Sequence, residues 1–145
     1  MREFPDLDLM IENFNFSEVD SGRRLSLYHS CKYIAKHNIP GDLVETGVYK
    51  GGCSMVMAYA NEYFNMNKKQ WLFDSFEGCP DPSSTIIGAH ENESHGKGDF
   101  ACSMEDVIKN FEKICMFNME NIRFVPGWFE ETTKDFKDIT NIARS

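Results

Sequence analysis

Three short apolar runs, at 42–45, 70–74 and 122–125, are separated by stretches whose apolar residues recur at spacings of three and four. That alternation constrains the fold more than any other feature. Strands joined through helices need long crossovers, so they are expected to lie parallel in one sheet with both faces covered. Right-handed crossovers give the strand order three, two, one, four, with ligands bound outside the carboxyl ends. The expected fold class is therefore α/β, a doubly wound parallel sheet. With 145 residues, 41% of them hydrophobic, the chain can build one domain with a core, but not two.

Helices are expected near 21–38, 52–65 and 103–116, and strands near 42–46, 70–74 and 121–125. In the first helix Leu25, Tyr28, Cys31 or Lys32, Ile34 and Ala35 form the apolar pattern, with Asp20 or Ser21 as its cap and Pro40-Gly41 as its stop. Ser103 opens the third helix with Asp106 three residues on, as in a capping box. Met104, Val107, Ile108, Phe111, Ile114 and Cys115 make that helix's stripe. Residues 129–138 read as a short helix, and 141–143 as the start of a fourth strand. The first sixteen residues mix acids with Phe4, Leu7, Leu9, Met10, Phe14 and Phe16, the mark of an arm that packs onto the domain. The organisation is thus an arm at 1–20 and a domain from 21 to 145.

Segment 80–100 differs in kind. Three glycines, two prolines and two histidines leave few apolar side chains to bury, so it reads as a lid ordered by ligand.

Charge and cysteine usage exclude several functions. With 15 basic against 23 acidic side chains, a net charge of −8, nucleic-acid binding driven by bulk charge is ruled out. No apolar run reaches the ~18 residues of a membrane span, and the first residues lack a secretory pattern. Five cysteines, with no C-x-x-C pair, fit a reducing cytoplasm better than a disulfide framework or a zinc site.

The segment 42–54, DLVETGVYKGGCS, carries the most chemistry. Glu45 ends a strand, Gly47 allows a close turn, and Gly51 and Gly52 admit a ligand against a helix start with free N–H groups. The spacing is not G-x-G-x-x-G, so a dinucleotide pyrophosphate is poorly supported. With Glu45 there, the ligand portion at the turn is expected to be cationic rather than anionic. Tyr49, in the turn, and Ser54, at the start of the helix after it, are candidate binding residues of the same segment. Asp74 ends the second strand, where nucleoside sites place a carboxylate on ribose hydroxyls. After the third strand, Gly127, Trp128 and Phe129 bring two aromatic rings that either flank a base or fill the core.

These segments resemble the macrocin O-methyltransferase family of S-adenosylmethionine-dependent sugar and small-molecule methyltransferases. The matching stretches, in order, are GDLVETGVYKGG (41–52), LFDSFEGCPDP (72–82), GDF (98–100) and VPGWFEET (125–132). The resemblance implies a class I methyltransferase fold. It implies that Glu45, Thr46 and Gly47 touch the methionine part of the cofactor, that Asp74 binds ribose, and that Ser75, Phe76, Gly127 and Trp128 lie near the adenosine. Family members continue into a fourth strand ending in a D-x-D-x-Y segment, and later acids help bind a divalent metal such as magnesium. Residues 139–145, ITNIARS, hold no such segment, so no metal ligand and no catalytic base is carried over to this chain. The chain is expected to be catalytically incomplete, as a fragment or as a product that needs a partner. Alone it is expected to self-associate or to be marginally stable, through an unpaired first strand.

Rival readings are a non-catalytic half-domain that binds cofactor or another chain, and a nucleotide-dependent dehydrogenase disfavoured by its glycine spacing. His90, Glu91, Glu93 and His95 suit a solvated loop better than a metal site. Cys53, near a helix start, fits wall or core packing better than a nucleophile, because no histidine stands close in sequence.

Overall fold

The computed structural model of the chain describes residues 7–12, 16–79, 96–114 and 119–134. Helix α1 (Leu7–Glu12) leads into α2 (Ser21–Lys36), strand β1 (Leu43–Thr46), α3 (Gly52–Tyr63) and β2 (Gln70–Asp74). After the long connection come α4 (Met104–Ile114), a 3-10 turn at Met119–Asn121, β3 (Ile122–Pro126) and α5 (Phe129–Thr132). Both strand pairs are parallel, in the order β1-β2-β3, as the alternation predicts. The expected fourth strand at 141–143 lies outside the described residues. So do His90, Glu91, Glu93, His95 and Cys115, and most of segment 80–100.

Register decides what each sheet face carries. Leu43 pairs with Gln70 and Glu45 with Leu72, while Gln70 pairs with Ile122. Alternation then sets Leu43, Glu45, Gln70, Leu72, Asp74, Ile122 and Phe124 on one face. Leu43, Leu72 and Ile122 join a core with Tyr28, Cys31 and Ile34 of α2, Met55, Val56 and Ala60 of α3, and Val107 and Phe111 of α4. Phe73 points to the opposite face and is itself buried. The two acids read as ligand contacts, Glu45 and Asp74, therefore share the helix-covered face.

Local signals explain the element ends. Asp20 caps α2 by accepting the Arg23 N–H at 3.0 Å, and Ser103 caps α4 by accepting the Asp106 N–H at 3.1 Å. One expectation for α2 fails. Leu25 is 40% exposed, and Arg24 is buried in its place. Its guanidinium donates to the carbonyls of Ile11 and Val19, so the α2 face given to a leucine by spacing instead clamps the N-terminal segment. Part of the arm forms α1, and its Ile11 packs into the core. Its far end meets α3, where Gly52 N–H donates to the Phe16 carbonyl at 3.0 Å.

Candidate functional site

The turn between β1 and α3 is built around backbone that few side chains tolerate. Gly47 extends the ladder by donating to the Phe73 carbonyl at 2.8 Å, and Tyr49 follows with φ +51°. Gly51 sits at φ +90° as the α3 cap, and a Cβ there would lie 3.0 Å from Val107. These glycines are thus required by geometry as well as by any ligand. The expectation of free N–H groups at the helix start is corrected at Gly52, whose N–H is taken by Phe16.

Asp74 organises the carboxyl ends of β1 and β2. Its Oδ2 accepts the N–H groups of Val48 at 2.6 Å and Tyr49 at 3.1 Å, and its Oδ1 accepts that of Phe76 at 2.8 Å. A carboxylate offers about four lone-pair sites, so about one remains for a ligand. The reading in which Asp74 takes two ribose hydroxyls is thereby reduced to one. Its backbone carbonyl accepts the Gly127 N–H at 3.0 Å, which holds the third strand's turn beside it.

Around these groups lies a cleft of about 460 Å³ at the carboxyl ends of the strands. Gly47, Tyr49, Asp74, Ser75, Gly127 and Trp128, all candidates from sequence, line it together. So do Gly78, Cys79, Asp99, Phe100, Phe129 and Glu130. A smaller cavity of about 130 Å³ adjoins it, bounded by Glu45, Val48, Cys53 and the 16–19 segment. Gly47, Tyr49 and Phe100 belong to both walls.

Three candidates stand apart from both cavities. Ser54 is fully buried, and its hydroxyl donates to Glu45 Oε2. Phe76, at φ +58°, turns its ring to Phe124 with centroids 6.1 Å apart. Thr46, exposed at the end of β1, lines neither cavity.

Glu45 faces the smaller cavity with an altered acidity. Burial, aided by the charge of Asp74 and opposed by the Ser54 hydrogen bond, pushes its carboxyl up to about 7. Burial and the neighbouring Glu45 also raise the Cys53 thiol. That shift runs against a thiolate nucleophile and agrees with the wall reading of Cys53.

Sequence reasoning missed Phe100, Asp99 and the contribution of 16–19. The GDF stretch was visible as a motif but carried no role. A chain reversal across twenty residues, which brings it to the first turn, has no periodic signal. Gly98 N–H donates to the Cys79 carbonyl at 2.9 Å and Cys79 N–H to the Asp99 carbonyl at 2.8 Å, so the two ends of segment 80–97 are pinned together at the cleft rim.

Among the described residues no three His, Cys, Asp or Glu side chains converge in a metal-binding group, and no helix is long and apolar enough to cross a membrane.

The sequence and the fold are both similar to those of known proteins. A 34% identical relative over 110 residues is 8-demethyl-8-(2,3-dimethoxy-alpha-L-rhamnosyl)-tetracenomycin-C 4'-O-methyltransferase of Streptomyces olivaceus, matched over 74% of this chain and 42% of its own length. Demethyldecarbamoylnovobiocin O-methyltransferase of Streptomyces niveus is also 34% identical, over 76% of this chain and 43% of its own length. The chain thus spans less than half the length of these curated relatives. The structure of the O-methyltransferase NovP superposes with a TM-score of 0.74 at 27% identity, covering 88% of this chain and 55% of that one. CalS11, a calicheamicin methyltransferase, shares the fold at 18% identity, with a TM-score of 0.63 over 83% of this chain and 49% of its own. The family model for macrocin-O-methyltransferase (TylF) matches residues 13–143. With nearly the whole chain inside that match, it belongs to the macrocin O-methyltransferase family.

Proposed function

We propose that this chain forms the cofactor-binding part of an S-adenosylmethionine-dependent O-methyltransferase whose acceptor is a hydroxyl of a sugar or another small molecule. The observation that carries the reading is the joining of Asp74, the glycine turn and Trp128 in one cleft at the carboxyl ends of parallel strands. The acceptor class rests on the relatives, whose names are those of O-methyltransferases.

The residues fit the group. The larger cleft offers aromatic walls from Trp128 and Phe129 for a purine, and an acidic end from Asp74 for a ribose hydroxyl. The smaller cavity offers Glu45 and the Ser17 region for a charged amino-acid end. Among the described residues no Lys or Arg lines either cavity, which disfavours a phosphate-bearing ligand. When bound, the cofactor supplies an electrophilic methyl group to the acceptor oxygen.

This chain's own residues bind and orient. Asp74 holds the glycine turn with two backbone bonds and Phe76 with a third, while its remaining lone pair meets a hydroxyl. Glu45, with its carboxyl pushed up to about 7, is only partly ionised at neutral pH, and a ligand cation nearby favours its charged form, with the proton passing to solvent. Alignment of the two substrates is the main contribution expected from such a site. The divalent cation implied by the family has no fitting donor set among the described residues, and no step is assigned to it.

Titration calorimetry with S-adenosylhomocysteine and with NADH tests the reading. S-adenosylhomocysteine is expected to bind, and NADH to bind more weakly. NADH binding the tighter of the two would replace the reading with a dehydrogenase-like site.

A further inference from the structure

Two cavities of unequal size meet at one partition. Gly47, Tyr49 and Phe100 line both, and the Tyr49 and Phe100 rings stand edge to face, with centroids 5.6 Å apart and planes at 84°. Both residues hold left-handed backbone, φ +51° and +58°, which costs a non-glycine residue free energy and persists only where neighbours enforce it.

The neighbours that enforce it are identifiable. Tyr49 N–H is held by Asp74 Oδ2, and Gly51 N–H donates to the Val48 carbonyl at 2.9 Å just beyond. On the other side the Cys79–Asp99 and Gly98–Cys79 bonds fix the backbone before Phe100. The Asp99 carboxylate braces its own turn, accepting the Gly96 N–H at 2.7 Å. The GDF stretch is therefore built to deliver the Phe100 ring to the joint between the cavities.

A ligand with a nucleoside in the larger cavity and an amino-acid end in the smaller one must cross that joint at the atom linking the two parts. In the proposed cofactor that atom is the sulfonium sulfur. We propose that Phe100 is a specificity-determining residue whose ring, set against Tyr49, seats this cation and so makes the chain prefer the charged methyl donor to its neutral demethylated product. The inference rests on the methyltransferase reading and adds to it the residue that senses charge. Aromatic faces attract cations within about 6 Å of the ring centroid. The local chemistry already shows that attraction: Lys50 Nζ lies 5.0 Å from the Tyr49 centroid. Lys50 lines neither cavity, so it leaves the joint itself open to a ligand. The Asp74 carboxylate, in the wall of the larger cavity, sets negative charge on the same side of the site.

The test measures the affinities of S-adenosylmethionine and S-adenosylhomocysteine by titration calorimetry for the wild-type chain, Phe100→Leu and Phe100→Tyr. Phe100 is 44% exposed, so leucine keeps an apolar wall without emptying the core. Circular dichroism of each variant checks its fold. Phe100→Leu is expected to weaken S-adenosylmethionine by about 3- to 30-fold, the range for one aromatic–cation contact, and S-adenosylhomocysteine by less than 2-fold. Phe100→Tyr is expected to keep the wild-type ratio. Equal weakening of both ligands, or of neither, with binding otherwise intact would overturn the charge-sensing role while leaving the methyltransferase reading in place. Absence of binding by either ligand to the wild-type chain would overturn both.

Discussion

Asp74 Oδ2 lies 2.6 Å from the backbone nitrogen of Val48, so the acid that ends β2 holds the glycine turn that ends β1. The same oxygen takes Tyr49 N–H, and Oδ1 takes Phe76 N–H. One side chain thereby braces the turn and lines the cleft.

Replacing Asp74 with alanine is expected to have two separable effects. Cofactor affinity falls by about 1.5 to 3 kcal/mol, the usual worth of a hydrogen bond to a charged group. Stability also falls, by about 1 to 3 kcal/mol, because backbone N–H groups lose their acceptor. Calorimetric titration reads the first and urea unfolding the second. Equal ligand affinity for wild type and variant would remove Asp74 from the site.

Glu45 makes stability depend on pH in an uncommon direction for an acid. Its folded value, about 7, lies above the ordinary 4.5, so the folded state binds the proton more tightly. Stability from this group is fully present below pH 4.5 and is lost as pH rises from there to about 7. The loss is on the order of 3 kcal/mol for a shift of this size. Urea unfolding at pH 5 and pH 7.5 should show the fold weaker at the higher pH, and Glu45→Gln should flatten that difference. Saturating cofactor should also lower the apparent value by bringing a cation near.

The sheet was legible because strand and helix periods differ and each run was long enough to display one. Val107 and Phe111 on α4, and Tyr28, Cys31 and Ile34 on α2, sit where spacing put them. Leu25 did not, because the register of α2 is decided by what Arg24 can hold, and its partners are carbonyls that no side-chain pattern reveals. In the site, Asp74 and Gly47 could be found from their places at strand ends. Ser54 meets the site through Glu45, and spacing alone does not show which side of a helix start faces that acid. Phe100 was invisible as a wall because an approach between residues far apart in sequence leaves no local period.

Gly52→Ala tests whether the N-terminal segment is part of the domain. A Cβ there would stand 2.4 Å from Ser17 Cβ and 2.6 Å from the Phe16 carbonyl oxygen, much closer than real contacts. The Gly52–Phe16 hydrogen bond cannot survive that displacement unchanged. Overpacking of this kind costs about 1 to 3 kcal/mol. Urea unfolding should show that loss, with faster amide exchange at 16–19. An unchanged midpoint would mean that the segment contributes nothing to the fold.

Gly78→Ala tests the pinned rim by itself. At φ +84° an L side chain is strained, and its Cβ would fall 2.5 Å from the carbonyl oxygens of both Gly98 and Asp99. Those carbonyls belong to backbone that cannot step aside as a flexible side chain does. The Cys79–Asp99 and Gly98–Cys79 bonds should therefore part, and with them the support for Phe100. Because the rim contributes nothing to the core cluster, the global cost should stay near 1 to 2 kcal/mol, the range for an unfavourable glycine replacement. Ligand binding should suffer more, since Phe100 walls both cavities. The expected result is a loss of S-adenosylhomocysteine affinity of about 10-fold or more, the effect of ~1.4 kcal/mol, with only a modest shift in the urea midpoint. Full affinity in a folded Gly78→Ala chain would show that the rim does not shape the site.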